Sequence, residues 1–319
     1  GKGAMTVKGT NRTIVVLITA ALVFGAGALA NRALHAPDPS GRQQAAGSPC
    51  RRIVSMAPSI TETLFALGLG ERVAAVTRYC EYPAEAKEKP RIGGFYDANY
   101  EALLALTPDL AILLPEQEKV RQFFDKQGIE VLVVNNKTIV DTLAMIGTIA
   151  GRCGVEGRGK ELTAELVAKR EAIRQEARRL AQPPRVLVSI GGNMGSGPEA
   201  RICVAGPETF YGQLLSLAGG YDAYQGRQAF PEISREGLLE LNPEVIIDIA
   251  VNTDYRPLGT AAKRAMLDKW RKIAAGTAAA RDGRIHILEG DYLVIPGPRF
   301  IQALEDVATV IRLPRGKGA

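Results

Sequence analysis

Short apolar runs alternate with helical patterns along residues 51–155, and the same alternation restarts after residue 183. In the first stretch "RIVSM" (52–56), "RVAAVT" (72–77), "DLAILL" (109–114) and "EVLVVN" (130–135) read as strands. Runs that stay apolar at consecutive positions predict strands covered on both faces, as in a parallel sheet. "PSITETLFALGLG" reads as a helix in which Ser59 and Glu62 stand three apart, as in a capping box, with Gly68 or Gly70 as the stop. "TIVDTLAMIGTIAGRCG" reads as a helix with Thr138 as its cap.

Residues 156–182 break the alternation. They carry no turn signal after Gly159, and Leu162, Leu166, Ile173, Ala177 and Leu180 share one stripe. This predicts one long helix, roughly 35 Å at 1.5 Å per residue, ended by Pro183 and Pro184. Beyond it, "RVLVSIG" (185–191), "EVIIDIA" (244–250) and "RIHILEG" (284–290) read as strands, with helices over "GPETFYGQLLSLAGG", from Arg235, around 261–275 and from about Arg299 to Ile311.

The pattern therefore predicts an α/β protein. Two Rossmann-like lobes with parallel sheets, 51–155 and 184–314, are joined by one long rigid α-helix over 156–183, with a ligand cleft between the lobes. A continuous helical connection resists bending, so closure of the lobes is expected to be small.

The lobes repeat one another in detail. "YEALLALTPDLAIL" from Tyr100 and "REGLLELNPEVIID" from Arg235 align at an offset of 135 residues. Asn99 and Ser234 are matched N-caps, which puts Glu101 and Glu236 at the second position of equivalent helices. For one such acid the helix dipole is explanation enough, at about 0.3–1 kcal/mol. Two acids at matched points of two lobes form a two-pronged surface for a partner with paired arginines.

Charge changes the picture only at the N-terminus. The net charge is +6, but Lys2, Lys8 and Arg12 account for three of the basic residues, and no dense basic run remains elsewhere. A nucleic-acid partner is not supported. Lys8 and Arg12 precede the uncharged run 13–30, which closes on Ala28-Leu29-Ala30. Residues 1–30 thus read as an export signal cleaved after Ala30, with an anchor over 13–30 as the alternative. Residues 31–50 read as a flexible tether and 315–319 as a disordered tail. Four cysteines in an exported chain permit disulfides, and three connectivities stay open. Cys50 and Cys80 fall at opposite ends of parallel strands, which disfavours that pair.

Ligands of α/β sheets sit beyond the carboxyl ends of the strands. Those loops hold Ser59, Arg78, Tyr79, Tyr82, Phe95 and Tyr96 in the first lobe. In the second they hold Asn193, Phe230, Tyr255, Asp291, Tyr292 and Arg299. Only 6% of the chain is aromatic, so this gathering predicts a cleft for a large, partly apolar ligand. Catalysis finds little support. The two histidines, His35 and His286, lie in the tether and mid-strand, too few for a multi-histidine metal site or a well-supplied triad. The glycine-rich "GGFYD" and "GGNMGSG" fit neither dinucleotide nor phosphate loops.

At "RIVSMAPSITETLFALGLGERVAAVTRYCEYP", "NYEALLALTPDLAIL" and "ISREGLLELNPEVIIDIA" the chain resembles the periplasmic substrate-binding proteins that feed cobalamin and ferric-siderophore ABC importers. The likeness spans about residues 51–314, and its three motifs occur in order around the long helix. The resemblance implies a non-enzymatic, monomeric receptor in the periplasm that docks onto a membrane permease, with Glu101 and Glu236 as the lobe-tip acids. It is closest to the cobalamin branch. It implies ligand contacts at Tyr79, Phe95, Phe230, Asp291 and Tyr292, to which the strand-end loops add Ser59, Tyr96 and Asn193. Phe95 and Phe230 stand where that branch often has tryptophan, and Ile295 where a polar contact is expected. It implies no cofactor or resident metal, cobalamin being cargo. A ferric siderophore or haem is the alternative cargo, for which Arg78 and Arg299 are the available cations. An exported enzyme on the same lobes, or an adaptor binding protein through the two glutamates, are readings from other classes.

Overall fold

The computed structural model describes residues 50–190, 201–250 and 258–314. The expected export signal (1–30), nearly all of the tether and the tail lie outside the described residues. In the N-terminal lobe β1 (Ile53–Ser55), α1 (Pro58–Ala66), β2 (Val73–Val76), α2 (Tyr100–Ala105), β3 (Leu110–Leu113), α3 (Glu118–Lys126), β4 (Glu130–Val133) and α4 (Ile139–Arg152) alternate. Their sheet is wholly parallel, in the order β2-β1-β3-β4. Helix α5 (Glu156–Ala177) leads across to the second lobe.

There the order is β5 (Arg185–Ile190), β6 (Ile202–Cys203), α6 (Phe210–Ala218), β7 (Tyr221–Asp222), β8 (Glu232–Ile233), α7 (Arg235–Leu241), β9 (Val245–Ala250), α8 (Thr260–Ile273), α9 (Ala278–Arg281), β10 (Ile285–Glu289) and α10 (Phe300–Arg312). The main sheet runs β7-β5-β9-β10, all parallel, the same order as its counterpart. Strands β6 and β8 add a small antiparallel pair. Among the described residues no helix is long and apolar enough to cross a membrane.

The strand pattern explains the layers. Leu110 and Ile112 face the inner core while Ala111 and Leu113 face an outer one. Alternate residues of one strand point to opposite faces, so an unbroken apolar run needs cover on both. The inner core is continuous between lobes. It joins Ile53, Leu64 and Ile146 through Leu162 and Leu166 of α5 to Val186, Leu214 and Leu304.

Two local expectations are corrected. Ser59 and Glu62 do not form a capping box: Ala57 is the N-cap of α1 and makes no side-chain cap bond, with Pro58 opening the helix. Proline suits that position because its missing N–H would have been unpaired there anyway. The long helix ends at Ala177 instead of reaching 183. Past it the chain turns so that Leu180 packs back on the core, within van der Waals reach of Gly219.

Candidate functional site

The carboxyl ends of the strands bring the lobes together at one seam. Its centre is Arg299, just before α10. Its Nε and Nη2 donate to Glu62 of α1 at 3.0 and 2.5 Å. Its Nη1 and Nη2 donate to Asp291 at 2.7 and 2.8 Å. Glu62 is 3% exposed and Arg299 9% exposed. The guanidinium lies over the Tyr82 ring, 3.9 Å from its centroid, which adds a cation–π contact from the first lobe. Gly297 permits the approach, since a Cβ there would stand 3.0 Å from Glu62 Oε2.

One guanidinium here serves two carboxylates, so the cluster is over-supplied with negative charge. The more buried acid bears the mismatch. Burial first, and Asp291 second, push the Glu62 carboxyl up to about 7 against the pull of Arg299. Desolvation would lower the Arg299 pKa, but its bonds to Glu62 and Asp291 outweigh this and raise it.

Two further bonds close the seam. Ile139 N–H at the start of α4 donates to Gln213 Oε1 of α6 at 3.0 Å, and Thr142 Oγ1 donates to the Pro296 carbonyl at 3.4 Å. A cavity of about 460 Å³ lies beside the Arg299–Glu62 bridge, between α1, α5 and the start of α10, lined among others by Glu62, Tyr82, Leu162, Lys169 and Arg299. Tyr79, Phe95, Tyr96 and Phe230 do not line it.

The expected contact residues divide. Tyr79, Tyr96 and Phe230 are exposed, and Phe95 is half-buried with its ring edge-on to Tyr96, centroids 4.7 Å apart. Phe230 leans edge-on toward Tyr211 at 6.5 Å. Its chain runs beside Val204–Gly206, next to β5, through bonds from Val204 and Gly206 N–H to the Pro231 and Ala229 carbonyls. Ser59 is different: it is buried, and its hydroxyl accepts from Asn136 Nδ2 at 2.9 Å, so it holds the first lobe's own loops. Asp291 is engaged by Arg299, and the Tyr292 hydroxyl donates to Asp306 Oδ2 at 2.5 Å. Asn193 and Tyr255 lie outside the described residues. Arg78 is ion-paired with Asp97.

Sequence reasoning missed Glu62 as half of the interlobe bridge, and it placed Tyr82 in the cleft loops without assigning it a contact. The signal for Glu62 was its place among Ile60, Thr61 and Leu64 in an otherwise uncharged helix, where burial is the default.

Glu101 and Glu236 are both exposed. The Asn99 and Ser234 side chains accept from the N–H of Ala102 and Gly237, the third residue of each helix, at 3.1 and 3.2 Å. The Glu236 carboxyl is held below its usual value by its own backbone N–H and by Ser234.

Two matched lobes bridged by one helix form a frame that is found elsewhere. Residues 53–291 match the family described as periplasmic binding protein. The chain belongs to that family. It is 27% identical over 270 residues to an uncharacterized ABC transporter substrate-binding lipoprotein, YvrC, of Bacillus subtilis, covering 82% of this chain and 80% of that one. It is 26% identical over 272 residues to a vitamin B12-binding protein of Vibrio cholerae, covering 83% and 90%. Among solved structures it is similar to the periplasmic heme-binding protein RhuT from Roseiflexus, with a TM-score of 0.68, 29% identity and coverage of 82% and 97%. Members of this family bind substrates, and the seam of this binding protein is built of side chains that hold lobes together.

Proposed function

We propose that this binding protein is the extracytoplasmic receptor of an ABC importer. It holds cobalamin or a related corrinoid between its lobes and docks on the permease through Glu101 and Glu236. The observation that carries the reading is the aromatic set. Tyr79, Tyr82, Tyr96 and Phe230 stand 39%, 43%, 75% and 53% exposed, on loops of both lobes. Large exposed rings gathered at strand ends mark a surface meant to be covered. The cations beside them are already neutralised, Arg78 by Asp97 and Arg299 by Glu62 and Asp291. A large ligand of low net charge suits such a surface better than an anionic iron chelate. The vitamin B12-binding relatives support the same choice. Of the expected contacts, Tyr79, Phe95, Tyr96 and Phe230 are offered as ring contacts, and Asn193 is proposed as a further ligand contact. Asp291 and Tyr292 act through Arg299 and α10, and Ser59 through Asn136.

Haem is the second reading. The half-exposed phenols of Tyr79 and Tyr82 favour it, since a phenol oxygen can ligate haem iron, as does the likeness to RhuT.

The test is calorimetric titration of the protein with cyanocobalamin, haem and a ferric hydroxamate siderophore in parallel. Sub-micromolar binding of cobalamin alone is expected. Heat with haem or the iron chelate and none with cobalamin overturns the corrinoid assignment. The double exchange Glu101→Arg with Glu236→Arg should leave ligand affinity unchanged and abolish permease-dependent uptake. Lost affinity would sink the docking role.

A further inference from the structure

Cys50 sits just before β1, and Cys153 is the C-cap of α4. Their Sγ atoms lie 2.6 Å apart, well inside the contact distance of two unbonded sulfurs. Both are buried, at 3% and 6% exposed, in one apolar cluster. The other two cysteines are elsewhere. Cys80 Sγ is bonded to the hydroxyls of Thr61 and Thr77 at 3.1 Å each, and Cys203 lies on β6 of the second lobe. Two arginines surround the pair. Arg152 Nη1 donates to Cys50 Sγ at 3.0 Å, and Arg72 Nη1 donates to the Cys153 carbonyl at 3.0 Å.

We propose that Cys50 and Cys153 are joined by a disulfide that fastens the start of the folded chain to the junction of α4 and α5. The step is thiol–disulfide exchange with an oxidised dithiol donor. The Cys50 thiolate attacks one donor sulfur, and the donor's other sulfur leaves as a thiolate. The Cys153 thiolate then attacks Cys50 Sγ and expels the donor's second thiolate. Two protons leave the protein and two electrons pass to the donor, which ends reduced. Both side chains are buried in the finished fold, so the exchange belongs to folding, before the lobe closes over them.

The bond has a mechanical consequence. β1 lies between β2 and β3 in its sheet. A pull on the chain ahead of Cys50 would otherwise be borne by β1. With the bond in place the pull passes to α4, next to the start of α5 at Glu156. The crosslink also closes a loop across most of the N-terminal lobe, which removes entropy from the unfolded chain. None of this depends on which ligand the protein carries.

The test begins with the full chain refolded from denaturant in the presence of oxidised glutathione, then alkylated with iodoacetamide in denaturant. Without reductant two cysteines should be alkylated and with it four, and a digest should contain one linked pair of peptides, holding Cys50 and Cys153. Reduction should lower the Tm by roughly 5–10 °C. Cys50→Ser should melt near the reduced protein and no longer respond to reductant. Alkylation of both Cys50 and Cys153 in the oxidised sample overturns the proposal. So does a linked pair containing Cys80 or Cys203, or an unchanged reductant response in Cys50→Ser.

Discussion

A single residue type plays opposite parts in this molecule according to what surrounds it. Glu62 stands midway along α1 and Glu236 in the first turn of α7; one is an interlobe bridge and the other an exposed acid. Solvent decides the difference: Glu236 is stabilised as an anion, whereas burial pushes Glu62 up. Asp222 is a second buried acid, and burial pushes it to about 7 although Tyr224 N–H donates to its Oδ1 at 2.9 Å. A carboxyl raised on folding contributes stability that is full below its unfolded pKa and is lost as pH rises through the folded one. Asp222→Asn keeps the acceptor and removes the charge. Its Tm should match the parent at pH 4 and exceed it at pH 8 by about 3 °C or more. An equal difference at both pH values would show that folding does not raise the Asp222 carboxyl.

At the scale of elements, the duplication reaches further than the aligned motif. Arg52 donates to the Leu106 carbonyl and Arg185 to those of Leu241 and Asn242, so each closes the C-terminus of an equivalent helix from the start of its lobe's first strand. Thr107 and Asn242, 135 residues apart, have φ of 43° and 42°. They are the non-glycine residues with positive φ among those described, and each precedes a proline. Their contexts differ. Thr107 is exposed and β-branched, a poor fit to left-handed backbone. Asn242 tolerates it, and its Oδ1 accepts from Ala278 N–H at 2.8 Å. Thr107→Gly should therefore stabilise by about 0.5–1 kcal/mol, while Asn242→Gly should destabilise by about 1 kcal/mol. Urea unfolding of the two variants measures both, and shifts of the same sign would refute the account.

For the whole molecule, a rigid spacer follows from more than α5. The inner core runs from lobe to lobe, and the Arg299 bridge and the Gln213 bond cross the same seam. Opening the lobes would expose apolar surface and leave Glu62 buried without its cation, so a wide hinge motion is disfavoured. Small-angle scattering of the protein alone and saturated with its ligand should give the same radius of gyration within error. A clear decrease on binding would mean that the seam opens in the unliganded protein.

Periodicity alone determined the two-lobed α/β plan, the parallel sheets, the matched caps at Asn99 and Ser234 and the exposed glutamates behind them. These follow from neighbours a few residues apart, where the spacing of apolar positions and a capping side chain decide the outcome. Only the tertiary structure decided what Ser59, Glu62, Arg299 and Asp291 do, that the long helix stops at Ala177, and that Cys50 meets Cys153. Each of these depends on a partner far along the chain, Glu62 and Arg299 being 237 residues apart in sequence. A local pattern specifies which face of an element is apolar. It does not specify which charged group from another lobe will stand against that face.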